Sequence, residues 1–189
     1  MRISESAVPL ARIHGFPPVA DPSARILILG SMPGEASLRA SQYYAHPQNL
    51  FWRILGEIVG EANDAPLRDT PYAEKLRTLK SADIALWDVL ASCHRKGSLD
   101  SDIVPETLQA NDFATFFATH DRVDRVLFNG AKAEACFRKH VVPSLESRAI
   151  RYLRLPSTSP ANASIPCARK IDSWRAALTR QGDPMEASR

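Results

Sequence analysis

RILILG, residues 25–30, runs directly into Ser31-Met32-Pro33-Gly34. Four successive apolar side chains stopped by a glycine are too few for a helix that buries one stripe. They suit a strand buried on both faces. Strands of that kind belong to parallel sheets, and parallel neighbours need a crossover, usually a helix. The pattern recurs at DIALWDV (83–89), at VDRVLF (123–128) and at residues 149–153. Between these runs the apolar spacing turns helical. Leu50, Phe51, Ile54, Leu55, Ile58 and Val59 mark a helix over 49–60, and Thr70 and Pro71 open another to 79. Asn111 caps a third to 120, residues 131–140 form a fourth, and 168–180 a fifth. The chain therefore reads as α/β, a three-layer αβα sandwich around a short, mainly four-stranded parallel sheet. One domain over 1–189 is expected, with 1–24 wrapping the surface and 182–189 a frayed tail. The ligand crevice of such a sheet lies beyond the carboxyl ends of its strands. The informative segments are those after Gly30, Trp87, Phe128 and Leu153.

Composition narrows the class without deciding it. With 44% apolar and 24% charged residues the chain is expected to be a soluble globular protein. A net charge of +3 permits nucleic-acid binding and does not demand it. No apolar run nears the roughly 18 residues of a membrane span. Residues 1–12 lack the basic-then-apolar pattern of a signal peptide, so the expected compartment is cytoplasmic. Cys93, Cys136 and Cys167 are scattered and odd in number, against a disulfide framework or a four-cysteine cluster. The five histidines show no metal spacing. Neither metal nor cofactor is expected.

Two long segments lie where the crevice should be. In the first, Gly30 and Gly34 let the backbone turn tightly around Ser31, Met32 and Pro33. A loop bearing Tyr43, Tyr44, His46 and Asn49 then leads into the helix. Aromatic faces stack on bases and amides read their edges. Phe51 and Trp52 read as core. Asn49 reads as helix N-cap, as ligand, or as both. The second segment, LPSTSPANAS (155–164), is dense in hydroxyls and suits phosphate contacts. Two shorter pieces flank it. Asp88 either contacts the crevice or, by preference, caps the turn that follows it. Asn129-Gly130-Ala131-Lys132 places a lysine at a helix start, which is a phosphate site or a solvated surface in equal measure.

GSMPGEASLRASQYYAHPQNLFW, residues 30–52, resembles the first signature of the uracil-DNA glycosylase superfamily. It is most similar to the hypoxanthine-DNA glycosylase branch and less so to the mismatch-specific uracil glycosylases. Those latter relatives carry an asparagine between the first glycine and the proline, where this chain has Met32. A thioether is a poor substitute for that polar group. The resemblance implies that Asn49 is the catalytic residue and that Tyr44 stacks on an extruded base, with Ser31, Met32 and His46 beside it. The 155–164 segment resembles the second signature, the loop that enters the minor groove, with Ser159-Pro160 where a His-Pro or Asn-Pro is usual. It implies DNA contacts by Ser157, Ser159, Pro160, Asn162 and Ser164, joined by Lys132. The implied partner is DNA bearing a deaminated base, met by a monomer. The implied reaction is monofunctional, hydrolytic excision of hypoxanthine in base excision repair. Two rivals stand: a G:U/T mismatch-specific uracil-DNA glycosylase acting on uracil opposite guanine, and a non-catalytic nucleic-acid or nucleotide-binding module. A Ser or Cys hydrolase ranks last, since no GxSxG elbow is present.

Overall fold

The structure, a computed structural model, describes residues 12–60 and 65–179. The expected tail, 182–189, lies outside the described residues, as does most of the first half of the expected N-terminal wrap. Four strands form one parallel sheet in the order β3-β2-β6-β7. They are β2 (Ile26–Gly30), β3 (Ile84–Asp88), β6 (Arg125–Asn129) and β7 (Arg151–Leu155). Each lies where an apolar run predicts it, displaced by two residues at most. Every residue of β2 and β3 is buried, the apolar runs as expected and the terminal Asp88 of β3 with them.

Helices flank the sheet. α1 (Glu35–Ala40) is a short turn of helix inside the first signature and was not expected. α2 (Phe51–Val59), α3 (Tyr72–Ser81) and α6 (Cys167–Thr179) pack together, with the Phe51 and Trp174 rings edge to face at 5.9 Å. α4 (Phe113–Thr119) meets α5 (Ala131–His140) through Phe113 and Phe137, 5.1 Å apart. The α4 cap corrects the sequence reading. Asp112, not Asn111, accepts from the Thr115 N–H, while Asn111 donates its Nδ2 to the Asp88 carbonyl.

A second sheet also departs from expectation. β1 (Arg12–His14), β4 (Leu90–His94) and β5 (Gln109–Ala110) form an antiparallel arm in the order β1-β4-β5. After Asp88 the chain does not turn into a helix. Val89 and Leu90 donate to the Gly30 and Ser31 carbonyls, and the strand runs on past the edge of the parallel sheet. This arm carries residues 95–103 to the carboxyl ends of the parallel strands.

Candidate active site

Gly30, Asp88 and Asn129 are the last residues of three adjacent strands, and all three line one cavity of about 400 Å³. That volume falls within the range of small-ligand sites. Gly30 and Asp88 are register partners, so their side-chain positions share a face. A Cβ on Gly30 would meet Asp88 Oδ1 and crowd the Tyr44 hydroxyl at 2.9 Å. Glycine is thus required by what packs over it.

Asp88 is 3% exposed, and its Oδ2 has no hydrogen-bond partner among the described residues. This corrects the reading of Asp88 as a turn cap: the carboxyl lines the cavity. Burial pushes its pKa up to about 7, with the neighbouring Asp100 raising it further and the Arg95 guanidinium opposing. The Tyr44 hydroxyl is likewise buried and unpartnered. Burial pushes that phenol well up, Asp88 adds to the rise and the Asn129 side chain opposes it. Tyr44 sits at φ 54°, a left-handed conformation unusual for a bulky residue. Its ring stacks on Phe51 at 4.0 Å and 24°, which holds it there. Phe51 covers one face of the ring, and Tyr44 still lines the cavity.

Asn49 is held in one orientation. Its Oδ1 accepts from the Phe51 N–H at 3.0 Å, closing off an orphan donor at the start of α2. The amide oxygen is therefore engaged with the backbone, and Asn49 also lines the cavity. The N-cap position itself falls to Leu50, not Asn49; Asn49 lies one residue earlier and serves the Phe51 N–H from there while lining the cavity. His46 makes a related turn: its Nδ1 accepts from the Gln48 N–H at 3.2 Å, so the neutral ring carries its proton on Nε2.

The second loop is braced from beneath. Thr158 is fully buried and pairs twice with Asn129, donating its N–H to Oδ1 at 2.8 Å and accepting Nδ2 on Oγ1 at 2.9 Å. Its carbonyl takes the Leu50 N–H, one residue from Asn49. From α6, Lys170, only 1% exposed, donates to the Asn162 carbonyl at 2.7 Å, and Trp174 Nε1 reaches Pro156. Gly130, at φ 102°, lets Ser157 approach to where a Cβ would lie 3.0 Å from it. Thr158→Val keeps the shape and strands the Asn129 amide. A loss of about 1–3 kcal/mol in urea-denaturation stability is the expected result.

The first signature contributes Ser31, Met32, Tyr44, His46 and Asn49 to this cavity. The second contributes Ser157, Ser159, Pro160 and Asn162. Lys132 on α5 and exposed Ser164 do not line it. The Asn162 amide is turned inward, donating to the Ser157 carbonyl at 3.1 Å. The sequence reading missed Asn129 as a brace and the 98–101 segment altogether. Ser98, Leu99, Asp100 and Ser101 line the cavity from the antiparallel arm. The one available signal for Asp88 was a carboxylate at the carboxyl end of a buried strand. None of the three cysteines lines the cavity, and burial pushes the Cys93 and Cys136 thiols up, away from nucleophile behaviour. Among the described residues no cluster of His, Cys, Asp or Glu is arranged to hold a metal ion, and no helix is long and apolar enough to cross a membrane.

The chain is similar to proteins of one family. Residues 17–177 match the family model of the uracil DNA glycosylase superfamily. A protein of Methanosarcina acetivorans named hypoxanthine DNA glycosylase is 40% identical over 163 residues, which cover 86% of this chain and 96% of the relative. A protein of the same name from Methanosarcina barkeri is 39% identical, over 88% of this chain and 98% of its own. The solution NMR structure of a candidate uracil DNA glycosylase from Methanosarcina acetivorans superposes with a TM-score of 0.71 at 37% identity. It covers 89% of this chain and 97% of that one.

Proposed function

Since the chain belongs to the uracil DNA glycosylase superfamily, we propose that it excises hypoxanthine from DNA as a monofunctional glycosylase. In this reading it works as a monomer in the cytoplasm, on DNA carrying a deaminated base. The observation that carries the proposal is Asn49, whose amide oxygen is bound to the Phe51 N–H and which lines the cavity shared with Tyr44 and Asp88. The names borne by the two relatives point to the same base.

The chemistry breaks the bond between C1′ of the sugar and N9 of the base. The bonding electrons leave with the base, C1′ becomes an oxocarbenium-like cation, and a water oxygen bonds to C1′ while the water's proton ends on the base. The charge that needs stabilising is the negative one growing on the base. Asn49 supplies a donor that can no longer rotate to present its oxygen. Asp88 in its protonated form supplies a second. An ionised carboxylate beside a departing anion would oppose the reaction, and the burial that raises the Asp88 pKa to about 7 increases the share of the productive, protonated form. Tyr44, packed on Phe51, offers a ring to stack on the extruded base. Met32 offers neither donor nor water site, which places the polar work on Asn49 and Asp88.

A panel of duplexes carrying inosine, uracil or xanthine, each incubated with the protein and then treated with alkali, tests the substrate. Strand scission is expected to be fastest at inosine. Equal or faster scission at uracil would move the chain to the mismatch-uracil reading, and no scission anywhere would leave a binding module.

A further inference from the structure

Three large apolar side chains are left exposed among the described residues: Leu99, Val142 and Ile165. Leu99, 52% exposed, is the one that lines the cavity. Its exposure is not slackness in the loop that carries it. On one side Ser98 Oγ accepts the Glu35 N–H at 2.9 Å, and on the other Asp100 Oδ1 accepts from Ser31 Oγ at 2.6 Å. Arg95, 3% exposed, ties the base of the loop by donating to the Gly97 carbonyl at 2.8 Å and to the Pro33 carbonyl. Gly97, at φ 83°, makes the bend that only glycine adopts freely. Leu99 is thus held out, at the cavity, by neighbours latched to the first signature loop. The lining from the second signature, Ser157 and residues 159–162, offers hydroxyls, Pro160, the small Ala161 and an amide, with no large apolar side chain.

Drawing a base out of a duplex costs a few kcal/mol and opens an apolar gap between the flanking base pairs. Proteins that distort DNA fill such gaps with Leu, Ile, Phe or Met. We propose that Leu99, on the antiparallel arm, is the wedge that enters the duplex at the mouth of this cavity and holds the target base out. The proposal rests on the glycosylase reading of the same cavity. It assigns a duplex-opening role to a loop outside both signature segments.

Leu99→Ala and Leu99→Met are compared with the parent on inosine opposite cytosine in a duplex and on the same strand without its complement. Single-turnover rates are measured with enzyme in excess. Leu99→Ala is expected to lose about 10–100-fold on the duplex and less than threefold on the single strand, with Leu99→Met close to the parent on both. Equal loss on both substrates overturns the wedge, because it would make Leu99 part of the base pocket. No loss on either also overturns it. A second readout needs no excision: 2-aminopurine placed beside an abasic-site analogue in a duplex reports unstacking by its fluorescence. The parent is expected to change that signal and Leu99→Ala to leave it near that of free DNA. Parent inactivity on inosine together with a Leu99-dependent fluorescence change would sink the substrate proposal and keep the wedge. A fluorescence change identical in parent and variant would sink the wedge alone.

Discussion

Asn49→Asp is expected to fold as stably as the parent and to excise hypoxanthine about 10²–10³-fold more slowly in single turnover. In the proposed mechanism the two atoms of the Asn49 amide have separate tasks. Oδ1 receives the Phe51 N–H at the start of α2, and the mechanism assigns Nδ2 as donor to the base. Aspartate keeps the first task and improves on it, since a negative charge at a helix N-terminus is favourable. It abolishes the second and adds a charge of the sign that the leaving base is acquiring. Asn49→Ala removes both and should also lose about 1 kcal/mol of stability from the missing cap. Comparing the two variants by urea denaturation and by rapid-quench excision separates cap from catalyst. An Asn49→Asp variant that reacts near the parental rate would confine Asn49 to the cap.

Asp88→Asn is the second large effect, and it shows in the pH dependence. In the folded chain the Asp88 carboxyl sits near 7 against an ordinary value of 3.8, with Asp100, Arg95, Tyr43, Tyr44 and Tyr72 as its interacting neighbours. If its protonated form is the donor, the parental rate falls as pH rises through about 7, tenfold per unit above it. An asparagine still donates and does not titrate, so Asp88→Asn should be flat across that range and overtake the parent by about pH 9. Stability moves in the matching direction. Below about pH 4 neither the folded nor the unfolded carboxyl is ionised. Between about 4 and 7 the unfolded chain gives up this proton and the folded one keeps it, so stability falls as pH rises and the loss is complete above 7. The full difference amounts to roughly 4 kcal/mol at most. Asp88→Asn is therefore expected to melt several degrees above the parent at pH 8 and level with it at pH 4. A parental high-pH limb that persists unchanged in Asp88→Asn would assign the titration to another group.

Strands β2 and β3 were legible because they are buried along their whole length, and such strands carry their burial in every residue. Ile26 to Leu29 and Ile84 to Trp87 have no polar interruption to misread. The antiparallel arm was not legible. Leu90-Ala-Ser-Cys-His94 mixes small and polar residues without alternation, and β5 is only two residues long. Its pairing is decided by Asp88 to Leu90 continuing along β2, a tertiary fact. Nine of the eleven proposed site residues meet in one cavity because two loops at the carboxyl ends of β2 and β7 are brought together there. The residues that complete its wall, Asn129 and the 98–101 segment, carry no local pattern. Asn129 is read only through Thr158, 29 positions away, and Asp100 through Ser31, 69 positions away. Asn111 went astray by one residue because Asp112 and Asn111 are both competent caps, and the Asp88 carbonyl claims the second.

Thr158, Asn129 and Lys170 hold the second loop in place before any partner arrives. Its conformational entropy is surrendered once, during folding, and not again at every encounter. A protein searching a genome meets undamaged sites far more often than lesions. A surface that had to order itself at each one would be slowed at all of them. The cross-braced loop instead lets the molecule sample the duplex as a rigid body, with association governed by diffusion and charge. The expected signature is an association rate that falls steeply with added salt. The slow, partner-dependent step is then left to the DNA, whose base must leave its stack.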